Sequence, residues 1–113
     1  MSPNAFQTET EDTEDDGPEH FVGYNRDHSI IVTYSYYGFV DLELSDRAYR
    51  LSEKALAGAI VEVAKLAHQR AMAHLRELQL NLGTSRRVLD RRGLPTTADV
   101  DALQQKIEED PDI

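Results

Sequence analysis

Residues 52–82 contain no proline and carry apolar side chains at helical spacing, and Gly83 follows the last of them. Leu56, Ala59/Ile60, Val63, Ala67, Ala71, Leu75, Leu78 and Leu82 recur every three or four positions, which places them on one side of a 3.6-residue helix. Ser52 is a suitable N-cap and Glu53 puts a carboxylate in the first turn, where the helix dipole favours it. Gly83 supplies the stop. Gly58 lies inside the run and is expected to permit close backbone approach, at about 1 kcal/mol relative to Ala. Some 30 helical residues extend roughly 45 Å. Whatever else this chain forms must cover a rod of that length.

The segment before the rod supplies the cover. His20 to Tyr24 is short, aromatic and β-branched, and Asn25-Arg26-Asp27 is turn chemistry. Ser29 to Ser35 is dense in residues that favour a pleated surface, with Ile30, Val32 and Tyr34 on one face. Tyr36-Tyr37-Gly38 makes a second turn. In Phe39 to Leu44, Val40, Leu42 and Leu44 alternate with Phe39, Asp41 and Glu43, the period of a half-buried strand. Three short strands with tight links predict an antiparallel meander. The fold class expected is α+β: a three-stranded meander on one long helix, with a short C-terminal helix. Such a sheet is only about 15 Å wide. Leu66, Ala73 and Leu80 widen the helix stripe further. The helix thus has more apolar surface than its own meander covers. A partner is expected, most simply a second copy, with Leu75, Leu78 and Leu82 at the interface.

Charge divides the chain of 113 residues into three parts. Residues 1–19 hold seven acids (Glu9, Glu11, Asp12, Glu14, Asp15, Asp16, Glu19) and no Lys or Arg, which is most of the net charge of −9. This stretch is expected to be a disordered acidic tail, because it has too little apolar surface to offset the entropy of ordering. Residues 20–83 are the core domain. Residues 84–113 are expected to be a linker, marked by Gly93 and Pro95, followed by a short helix over about 98–109 capped by Thr97, with Val100, Leu103 and Ile107 on one face.

Chemistry is sparsely represented. The chain has no cysteine, which excludes disulfides, thiolate metal sites and cysteine nucleophiles. His68 and His74 are six apart, about 240° around a helix, and are read as surface side chains without a shared ligand. Ser52 is a cap before it is a nucleophile. Asp41 and Glu43 share a strand face and are read as solvated. The glycines are scattered, so no phosphate loop is present. No enzyme, metal or cofactor is expected. Arg86, Arg87, Arg91 and Arg92 lie within seven residues and could contact nucleic-acid phosphate. The chain as a whole is acidic, so nucleic acid is the weaker expectation. No apolar run approaches a membrane span, and the N-terminus lacks the pattern of a classical signal peptide. A cytoplasmic location is expected.

The block from Phe21 to Leu82 resembles the EspD/EspH-like family of mycobacterial ESX (type VII) secretion-associated proteins. The matching positions are Gly38, Asp41 to Ser45, Ser52-Glu53, Leu56-Ala57, Ile60, Ala64 and Ala67 to Ala71. More distantly, the order of strands then helix is similar to the YbaB/EbfC nucleoid-associated fold, to which EspL-type proteins are also similar. The first resemblance implies a non-enzymatic, chaperone-like accessory protein that binds proteins, with export by a route needing no classical signal peptide. The second implies a DNA-binding dimer, although the helix that precedes the strands in that group is replaced here by the acidic stretch. Tyr37 to Asp41 and Tyr49 to Glu53 each fit the Tyr-x-x-x-Asp/Glu pattern of type VII substrates. Both precede the long helix, where that pattern does not belong, and are read as chance matches.

Overall fold

The computed structural model describes residues 19–111 and 113. The expected disordered tail therefore lies outside the described residues, except for Glu19, which is exposed beside the first strand. Three strands form an antiparallel sheet in chain order: β1 (His20–Tyr24), β2 (Ile30–Ser35) and β3 (Gly38–Leu44). A short 3₁₀ turn, Ala48–Arg50, leads into α1 (Glu53–Asn81). Two further helices follow, α2 (Arg86–Arg91) and α3 (Thr97–Glu109). The α+β meander on one long helix, with a short C-terminal helix, is what the periodicities predict.

The β1–β2 turn is tied by its own polar groups. Asn25 is buried; its Oδ1 accepts from the Ile30 amide at 3.0 Å and its Nδ2 donates to Ser29 Oγ at 2.9 Å. Asp27 Oδ1 accepts from the Ser29 amide at 3.0 Å, and its other oxygen meets Arg47 at 2.5 Å. Hydrogen bonding from Ser29, reinforced by the charge of Arg47, holds the Asp27 carboxyl below the usual carboxylate range.

The sheet lies on the first half of α1. Ile30, Val32, Ala48, Ala59, Val63 and Ala67 form the main core, flanked by Tyr34, Leu44, Leu56 and Ile60. The close approach in this layer is not at Gly58, beside which space is open, but at Gly23. A β-carbon at position 23 would stand 2.5 Å from the Val63 carbonyl oxygen. Only glycine lets β1 lie this near the helix backbone.

Strand β3 departs from the expected alternation. Thr33 pairs with Asp41 and Tyr34 with Phe39, so Val40 has no partner on β2. This bulge moves Phe39, rather than Val40, onto the helix side with Leu42 and Leu44. Phe39 meets Tyr34 edge-on, with ring centroids 4.8 Å apart. The strand is also barely buried: every residue from Phe39 to Glu43 is exposed. It is an edge strand, and between it and α1 lies a groove instead of a core.

Helix α1 ends as expected. Gly83, at φ 99°, lets its own amide reach the Leu80 carbonyl and the Thr84 amide reach that of Gln79, a Schellman closure. The stretch read as a linker contains α2. Ser85 Oγ caps it by accepting from the Val88 amide at 3.3 Å, and Leu89 is fully buried. Six residues are too few to show a helical period in sequence. α3 is capped by Thr96 and not Thr97. Thr96 Oγ1 accepts from the Asp99 amide at 3.1 Å, while Asp99 accepts from the Thr96 amide at 2.9 Å. The box requires the acid three positions after the cap, which fixes residue 96. α3 folds back on α1, where Val100, Ile107 and Leu103 cover Leu66 and Ala73. Leu66 and Ala73 of the second flank are thus covered within the chain, while Leu80 is half-buried.

Candidate functional site

Open apolar surface on α1 includes Val61, 61% exposed in its first half, and a pair of leucines at its C-terminal end. Leu75 is half-buried, Leu78 is 42% exposed and Leu82 is 81% exposed. The sheet and α3 cover Leu66, Ala67 and Ala73, and they leave Leu78 and Leu82 open to solvent.

Next to them stands α2, with Arg86, Arg87, Arg91 and Arg92 all exposed. The six-residue helix with its C-cap, Arg92, brings these four onto one small projection. A fifth arginine, passed over in the sequence, holds the projection in place. Arg76 is only 6% exposed on α1; its Nη1 lies 2.8 Å from Asp90 and donates to the Leu94 carbonyl at 2.9 Å. Asp90, the acid that interrupts the cluster, is thereby engaged by Arg76. An arginine on an apolar stripe carries no sequence sign that it points inward. The partners lie 14 and 18 residues away.

A second open surface runs along β3. Phe39, Val40 and Leu42 are 58%, 52% and 45% exposed. Between β3 and α1 lies an apolar groove of about 420 Å³ lined by Val32, Phe39, Leu42, Ile60 and Ala64, with Asp41 at its rim. Asp41 and Glu43 are exposed, and no described residue forms an ion pair with either.

The histidines are better placed than surface side chains. His68 meets the Tyr34 ring edge-on at 5.0 Å. His74 Nδ1 lies 2.9 Å from the Tyr36 hydroxyl, which also donates to the Ala71 carbonyl at 3.2 Å. Phe21 packs beside both rings, 5.3 Å from each. Burial, then the nearby Glu19 charge, raises the Tyr36 phenol above its ordinary value. This cluster fastens the β2–β3 turn to the middle of α1. It borders a cavity of about 540 Å³ that Arg70 and Asp101 also line. Arg70 lies over the Tyr24 ring and bonds to Gln104, so it braces β1 against α3.

Ser52 Oγ accepts from the Ala55 amide at 3.2 Å, the geometry of a cap. Among the described residues no three His, Asp or Glu side chains gather to hold a metal ion. No helix among them is long and apolar enough to cross a membrane. Comparison with protein-family models, with curated proteins and with solved structures finds no match to this chain.

Proposed function

We propose that this protein acts by binding other proteins, as a non-enzymatic, chaperone-like accessory factor of the kind associated with type VII (ESX) secretion. The observation that carries the binding part of the reading is the exposure of Leu78 in the last turns of α1 and of Leu82 at its C-cap, while Ala59, Val63, Leu66, Ala67 and Ala73 are covered within the chain. Neighbouring exposed leucines at a helix end are a usual mark of an interaction site. A second copy is the simplest occupant, since a two-fold axis buries the same leucines twice. The link to secretion comes from the resemblance of residues 21–82 to the EspD/EspH-like proteins. The expected location is the cytoplasm, before any export.

One observation favours a second reading, a YbaB/EbfC-like DNA-binding dimer. Three exposed arginines of α2, Arg86, Arg87 and Arg91, and Arg92 just beyond it stand on one projection adjacent to the proposed dimer seam. The net charge of −9 weighs against it.

The test has two arms. Sedimentation of the full chain at tens of micromolar, and co-purification from the native host, are compared with a Leu78→Glu, Leu82→Glu variant. Loss of self-association or of a defined protein partner in the variant supports the reading. A monomer without protein partners overturns it. Tight duplex binding at physiological salt that disappears when Arg86, Arg87, Arg91 and Arg92 are neutralised favours the second reading instead.

A further inference from the structure

The open edge of β3 offers the strongest further surface. Strand order places β3 at the margin of the sheet, with β2 on one side and no described strand on the other. Its backbone amides and carbonyls on that side are a template for an added strand. The helix-facing side presents Phe39 and Leu42 over the apolar groove floored by Val32, Ile60 and Ala64. The alternate positions are Asp41, at the groove rim, and Glu43, both exposed.

These charges decide the occupant. In a two-fold antiparallel pairing of two β3 strands centred on Leu42, Asp41 faces Glu43 of the second copy, and the same clash occurs again across the axis. Centring the pair on Asp41 or on Glu43 sets identical carboxylates opposite each other. Like charges directly opposite destabilise a strand pair, and opposite charges stabilise it. In the registers centred on residues 41–43 the acids thus oppose a second copy, while they favour a strand that carries cations on that face. The net charge of −9 attracts the same kind of partner.

We propose that β3 is a docking edge for an extended segment of another protein in which apolar residues alternate with Lys or Arg. The apolar residues enter the groove beside Phe39 and Leu42, and the cations pair with Asp41 and Glu43. The proposal rests on the protein-binding reading and names the chemistry of one partner.

The probe is a labelled nine-residue peptide alternating valine with lysine or arginine, titrated against the full chain. Its controls are a peptide of the same composition with the cations in one block, and an alternating valine–glutamate peptide. The alternating basic peptide is expected to bind at least about tenfold more tightly than the block peptide, and to slow amide exchange across residues 38–44. In the Asp41→Lys, Glu43→Lys variant the preference should invert toward the acidic peptide. The milder Asp41→Asn, Glu43→Gln variant should lose about tenfold for the basic peptide without gaining the acidic one, and serves if the reversed variant fails to fold.

Equal binding of alternating and block peptides, or binding that survives in both variants, overturns the proposal and assigns the attraction to acids elsewhere. Exchange protection of residues 38–44 that rises with protein concentration alone also overturns it, in favour of a second copy. If the peptide test fails while Leu78 and Leu82 still govern a protein partner, the edge is wrong and the broader reading stands. If the peptide binds as expected while the chain's tight ligand is duplex DNA, the broader reading falls and the edge stands.

Discussion

Gly23 and Ala67 touch backbone to backbone: a β-carbon on the glycine would stand 2.8 Å from the Ala67 amide nitrogen. The nearest atoms belong to a helix backbone that cannot rotate away. Gly23→Ala should therefore push β1 off α1 and cost about 1–3 kcal/mol. Gly58, with open space beside it inside the same helix, should respond in the opposite sense, with Gly58→Ala gaining about 0.5–1 kcal/mol. Chemical denaturation of both variants checks the pair. Similar effects at the two positions would mean that the strand sits farther from the helix than described.

Arg76 holds α2 through Asp90 and the Leu94 carbonyl. Because Arg76 is buried and Asp90 is exposed, the two partners should not count equally. Arg76→Ala is expected to lower stability by about 1–3 kcal/mol and to release exchange protection around Leu89. Asp90→Asn should cost under about 1 kcal/mol. Hydrogen exchange resolved over residues 85–95 separates the two outcomes.

Asn25 satisfies the Ile30 amide from inside the first turn. Asn25→Ala leaves that amide without its side-chain acceptor, at an expected cost of about 1–3 kcal/mol. Thermal unfolding of Asn25→Ala beside Ser29→Ala, which keeps the Asn25 acceptor while removing the Ser29 hydroxyl's bonds to Asn25 and Asp27, shows whether the acceptor matters most.

Asp99 and Asp27 both have carboxyls held below the usual range. Bonds from the Thr96 backbone and side chain do this for Asp99; bonding from Ser29 leads for Asp27. A carboxyl whose pKa is lower folded than unfolded adds stability that is complete above the unfolded value. That contribution disappears as pH falls through the folded value. Unfolding measured from neutral toward pH 2 should show a decline that is shallower in Asp27→Asn and in Asp99→Asn. An unchanged acid slope in both variants would remove the two turns from the acid response.

Much of this fold could be read from its residues, and the reasons differ by element. α1 is long enough for its period to be unmistakable, and β1 and β2 are bounded by turn residues. The bulge at Val40 was hidden because Phe39, Val40 and Leu42 are all apolar, so either alternation fits the string. α2 depends on Leu89 being buried and on Arg76 turning inward, which are tertiary facts. Thr96 and Thr97 are neighbours, and only the bond to Asp99 chooses between them. Of the candidate surfaces, Leu78 and Leu82 follow from counting along the helix. The edge of β3 does not, since its exposure depends on how far α1 lies from it.

The unpaired Val40 also breaks the uniformity of the sheet margin. A regular strand repeats every two residues, so a neighbour can slide by one repeat and find the same spacing of bonds and pockets. Here the spacing is interrupted between Phe39 and Asp41. An incoming strand that fits one side of the interruption is out of step on the other unless it sits at a single offset. The inserted residue acts as a notch in a ruler, setting where along the margin a neighbour must stop.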